Sequence, residues 1–140
     1  MLDSMERGFW LGWMVLDALG YFWFITLPLL LLAAAAWMRV PDGEPRRFRA
    51  GWIVLAVQGG AVVLLLALGA FGSRPAGREP LAWAGGFWFL TLLAAFVTTG
   101  RLVVVSKGNR FLVLGTGLFG LWTILFTAFI TGMAVSGEWL

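Results

Sequence analysis

Asp17 is the one carboxylate of this 140-residue chain that lies inside a long apolar run. A charged group in hydrocarbon is costly and by default marks an ion path or a proton relay. The other acidic residues, Asp3, Glu6, Asp42, Glu44, Glu79 and Glu138, fall in polar segments. The chain has no Cys and no His. Disulfides, thiolate chemistry and Cys/His metal sites are therefore excluded. So are axial haem ligation by His and catalysis by a His base or a Ser-His pair. No motif names a reaction, so no enzymatic role is expected. Asp17 has two readings. It is an interfacial residue at the start of a span, or it is an ion-coupling carboxylate paired with Arg74 or Arg78.

The remaining candidates are packing and binding residues. Residues 20–27 read GYFWFITL and residues 85–92 read GGFWFLTL, with six of eight positions identical. Coincidence in a biased composition is one reading, and duplication of a helical hairpin is the other. Phe22, Trp23, Phe87 and Trp88 are then candidates for a flat apolar surface that packs a pigment, a quinone or another subunit. The nine Trp residues otherwise read as an aromatic belt at the membrane interfaces. Thr116, Gly120, Ala128, Gly132 and Ser136 recur at four-residue spacing or its multiple, interrupted by Ile124. Small residues let helix backbones approach closely in lipid, so this stripe is expected against another helix. Thr123, Thr127 and Thr131 form a second row that can back-bond, bond across helices or line a polar path. Gln58 is the one amide inside an apolar run, and an unpaired amide in hydrocarbon costs several kcal/mol. It is expected to bond a neighbouring helix. Arg46, Arg47 and Arg49 form a basic cluster that can hold anionic lipid.

The composition dictates what positions these residues. Apolar residues make up 61% and charged residues 12%, with a mean hydropathy of +0.91. A soluble domain is roughly half apolar and about a quarter charged. The chain is therefore expected to be an all-α integral membrane protein forming one domain. A crossing needs ~20 apolar residues for ~30 Å of hydrocarbon. Four spans are predicted at 17–38, 51–71, 81–105 and 111–137, as two duplicated hairpins. The first apolar run, 8–38, would reach about 46 Å as one helix. Its excess, residues 1–16, is assigned to an N-terminal helical segment that lies in the interface or extends the first span. Pro28 is expected to kink that span. The N-terminus opens with Asp3 and Glu6 rather than a basic stretch, so it does not read as a cleaved signal peptide.

The net charge of +3 belongs to loops between spans, so nucleic acid is not an expected partner. The lipid bilayer and other subunits, or further copies of the chain, are. The leading functional reading is a non-catalytic subunit of a larger membrane complex. The alternative is a small homo-oligomeric transporter or channel that uses Asp17. The expected location is a bacterial inner membrane. Seven Lys and Arg residues lie in segments 39–50 and 101–110, and three lie on the other side. The positive-inside rule then places those two segments in the cytoplasm and both termini outside. A reporter fused after Leu140 should read as exported, and one inserted beside Arg46 as cytoplasmic. A cytoplasmic C-terminus would overturn this topology.

Overall fold

The computed structural model describes residues 2–40, 45–73 and 82–137, and every regular element among them is a helix. In order these are α1 (Leu2–Tyr21), α2 (Trp23–Met38), α3 (Pro45–Gly72), α4 (Ala82–Val105) and α5 (Arg110–Ser136). Three of them, α3, α4 and α5, are long and apolar enough to cross a membrane. α1 and α2 pass the same test only as a pair bent by 93°, which makes up to four candidate crossings.

The helix ends follow local chemistry. α3 opens at Pro45, where the missing N–H costs nothing and the ring presets a helical φ. Arg46, Arg47 and Arg49 therefore sit in the first turns of α3, not in a loop ahead of residue 51. Between α4 and α5 the chain turns at Gly108, whose φ of +92° suits glycine. α5 stops at Gly137, which adopts the left-handed conformation and donates its N–H to Met133 O at 3.0 Å.

Residue pairings define the directions. Cβ positions on Gly51, Gly69 and Gly72 of α3 face Leu112, Thr131 and Val135 of α5. The numbers rise together, so α3 and α5 run parallel. Gly72 faces Ala84, while Gln58 reaches Thr99, so α4 runs antiparallel to both. On the other side, Arg7 Nη1 donates to Ser73 Oγ at 3.0 Å, and Trp37 at the end of α2 packs on Gly51. α1 thus begins beside the C-terminal end of α3, and α2 ends beside its N-terminal end.

The break in the first apolar run falls at Phe22, not near Asp17 or at Pro28, and Pro28 lies inside α2. Phe22 donates its N–H to Ala18 O and accepts at its own carbonyl from the N–H groups of Ile25 and Thr26. Its ring packs on Phe126 at 5.2 Å and on Trp122 at 6.5 Å between centroids. Thr26 closes the gap. Its hydroxyl donates to Leu19 O at 2.9 Å and accepts from Trp122 Nε1 at 3.0 Å. A carbonyl at a helix end has no partner within its own helix, and here a side chain from the next helix supplies one.

The two eight-residue copies differ in local structure. The first straddles this break, and the second lies inside continuous α4. Thr91, the counterpart of Thr26, donates back to Phe87 O at 2.8 Å, one turn earlier. The bend should therefore depend on the Thr26–Trp122 pair. In a double-mutant cycle of Thr26→Val and Trp122→Phe, read by denaturant unfolding, the coupling should be at least about 0.6 kcal/mol, the mean for such bonds in membranes. A coupling of zero would remove Thr26 as the closing contact.

Candidate functional site

Gln58 is buried, 3% exposed in the middle of α3. Its Nε2 donates to Gly117 O at 2.9 Å and to Thr99 Oγ1 at 3.4 Å. One amide thus joins α3 to both α4 and α5. Its Oε1 is buried without a hydrogen-bond partner among the described residues. That oxygen occupies the space where Gly120 would carry a Cβ. Gly117 makes similar room, since a Cβ there would meet Thr99 Cγ2 at 3.1 Å.

The rest of the stripe faces the same chain. Thr116 Oγ1 accepts from Trp37 Nε1 at 2.9 Å. Ala128 O accepts from Trp88 Nε1 at 3.1 Å, and Gly132 lies against the Trp88 ring. Ser136 donates to Met133 O within α5. The Thr row is turned inward on its own backbone: Thr123, Thr127 and Thr131 donate to the carbonyls of Phe119, Thr123 and Thr127. Each hydroxyl proton is thereby engaged along the helix.

Three indoles act as clamps, a role the residue pattern alone did not reveal. Trp37, Trp88 and Trp122 each donate across to α5 or from it. Acceptors at matching depth, Thr26 and Thr116, were the available signal. Phe22 and Trp88 are not brought together. Phe22 packs on Trp122 and Phe126, whereas Trp88 packs on α5 from α4. Trp23 and Phe87 are exposed.

Asp17 is exposed on α1. Its considered partners, Arg74 and Arg78, lie outside the described residues, as do Asp42, Glu44, Glu79, Glu138 and Trp139. Arg46 and Arg49 are exposed, and Arg47 is half-buried. Among the described residues no three Asp or Glu side chains converge as metal ligands would. Two apolar clefts open on the outer wall. One of about 360 Å³ lies between α1 and α3, beside Trp13, Leu16 and Val62. The other, about 320 Å³, lies between α4 and α5, beside Phe96, Thr99 and Leu121.

Comparison with protein-family models, with curated proteins and with solved structures gave no match.

The Gln58–Gly120 fit gives a direct test. Gly120→Ala places a methyl group on Gln58 Oε1 and should destabilise the fold by roughly 1–3 kcal/mol, as overpacking does. Adding Gln58→Ala to that variant should recover part of the loss in the same unfolding assay. Additive losses would mean that the two residues do not share this space.

Proposed function

We propose that the chain is a non-catalytic subunit of a larger membrane assembly, and that it crosses the bilayer four times with α1 and α2 as one broken crossing. The ends of the bent pair lie beside opposite ends of α3, which supports the fourth crossing. With the 93° bend shared equally, helices of 20 and 16 residues would together advance about 37 Å along the bundle at ~1.5 Å per residue. That is enough for ~30 Å of hydrocarbon. Duplication of a helical hairpin accounts for the shared directions, because α3 parallels α5 while the bent pair and α4 both run against them. The basic ends face the cytoplasm in this reading, and the site has no cofactor held through an imidazole or a thiolate. A pigment, a quinone or a lipid chain would lie in the apolar clefts.

One observation carries the subunit reading. Polar side chains within the bundle are engaged in holding its own helices, while Gly59 and Gly60 stand open on the outside of α3, with nothing within 4 Å of a Cβ at either. Glycine in mid-helix weakens it by about 1 kcal/mol relative to Ala. Against lipid alone it brings no compensating contact, whereas a partner helix can approach closely there. The transporter reading gains nothing comparable, since Asp17 is exposed rather than enclosed by the bundle.

Mild-detergent extraction followed by native mass spectrometry tests the proposal. The chain should migrate with different membrane polypeptides. Gly60→Leu should keep its helical content and lose them, and Asp17→Asn should keep them. A self-only oligomer whose ion flux in vesicles is abolished by Asp17→Asn would favour the transporter.

A further inference from the structure

We propose that the cleft between α4 and α5 binds the ring of a membrane quinone, with the hydroxyl of Thr99 donating to a ring carbonyl. The inference rests on two parts of the proposed function, the membrane crossings and the place of apolar molecules in the clefts, and is independent of the subunit reading. The cleft holds about 320 Å³, with Phe96, Thr99 and Gly100 of α4 on one side and Val113, Gly117 and Leu121 of α5 on the other. Small-molecule sites begin at about 300 Å³ and combine an apolar lining with a few placed polar groups.

Thr99 is the placed polar group, and it is 4% exposed. Thr91, Thr123, Thr127 and Thr131 each donate to a carbonyl one turn earlier on their own helix, and Thr99 does not. It accepts from Gln58 Nε2 at 3.4 Å instead. Gly117 fixes the direction of that bond. Its carbonyl takes an N–H from the same nitrogen at 2.9 Å, and turning the amide over would set two carbonyl oxygens against each other. Thr99 is therefore an acceptor toward Gln58, and its own proton has no acceptor among the described residues. A buried hydroxyl left in that state is costly. A ligand in the cleft that brings an acceptor removes the cost.

The surroundings select the ligand. Among the described residues no charged side chain lines the cleft, so the occupant is neutral and apolar apart from its acceptor. A Cβ on Gly100 would meet nothing within 4 Å, and a flat ring can lie against the backbone there. Depth decides between the carbonyl-bearing molecules of a membrane. Gln58 stands at the midpoint of the 28-residue α3, about 20 Å from either end at ~1.5 Å per residue, and Thr99 is bonded to it. The ester carbonyl of a phospholipid stays at the edge of the hydrocarbon, ~15 Å from its centre. An acyl chain brings no acceptor. A quinone is neutral and flat, carries its carbonyls on the ring, and enters at that depth while its isoprenoid tail remains in lipid.

The test uses the full chain reconstituted in phosphatidylcholine vesicles. It measures saturable uptake of menadione, and of methylnaphthalene as the same ring without carbonyls, in excess of protein-free vesicles. The chain has no Cys, so the quinone forms no thioether with it. Thr99→Val keeps the shape of the side chain and should weaken menadione binding roughly fivefold, as loss of one hydrogen bond does. Methylnaphthalene binding should not change in that variant. Thr99→Ser keeps the hydroxyl and should bind menadione as the wild type does. Gly100→Leu fills the cleft from a position with open space, so it should keep its helical content and lose both probes. No saturable menadione uptake by the wild type, equal losses of both probes in Thr99→Val, equal losses of menadione in the Val and Ser variants, or full binding in Gly100→Leu would each overturn the assignment. Failure to enter the vesicles would instead overturn the membrane reading on which it rests.

Discussion

The close approach of α3 to α5 is the contact on which the other helices depend. In lipid, burial of apolar surface does not drive helices together, so contact relies on small residues, packing and hydrogen bonds. Glycines on both helices supply it. A Cβ at Gly69 would come within 2.9 Å of Thr131 Cγ2, and one at Gly51 within 3.2 Å of Leu112 Cδ2. The same glycines also admit a third helix. Gly51 receives Trp37 from α2, Gly69 receives Leu11 from α1, and Gly72 receives Ala84 from α4. From α5, Gly115 faces Ala36 of α2, and Gly132 faces Trp88 of α4. The parallel central pair therefore sets the positions at which α1, α2 and α4 dock.

Hydrogen bonds complete what the glycines begin. Gln58 can reach both α4 and α5 because Gly117 and Gly120 leave its side chain room. The indoles of Trp37, Trp88 and Trp122 work at other depths, each joining α5 to a neighbour. An indole suits this task, having a large apolar body and one donor that needs a partner when buried. The hydroxyl protons of the Thr row stay within α5. Among the described residues no three acidic side chains converge in this interior.

Much of this was legible from the residues. The composition pointed to membrane-crossing helices, and three helices are long and apolar enough to cross a membrane. Span lengths for α3, α4 and α5 followed from hydropathy to within a few residues. The main offset, the start of α3 at Pro45, arose because basic residues at a helix end look like loop when judged by polarity. Gln58 was expected to bond a neighbouring helix, since an amide in hydrocarbon must. Its pairing with Gly120 was not legible, because the two come from helices that are not consecutive and meet only when α3 and α5 run side by side.

The paired eight-residue segments mark the boundary most clearly. The residues by themselves determined that both would be helical and rich in aromatic surface, through apolar content and spacing. They did not determine that one would break and the other continue. Thr91 lies in unbroken α4 and bonds to the carbonyl one turn before it. Thr26 instead reaches Leu19 O across a gap and takes a proton from Trp122, with Phe22 set against Trp122 and Phe126. The second copy has no such contacts with Trp122 and Phe126. Local propensity leaves a helix of this composition free to run straight. Tertiary contacts with α5 decided the bend, by supplying the ring packing and the hydrogen bond that an interrupted backbone would otherwise lack.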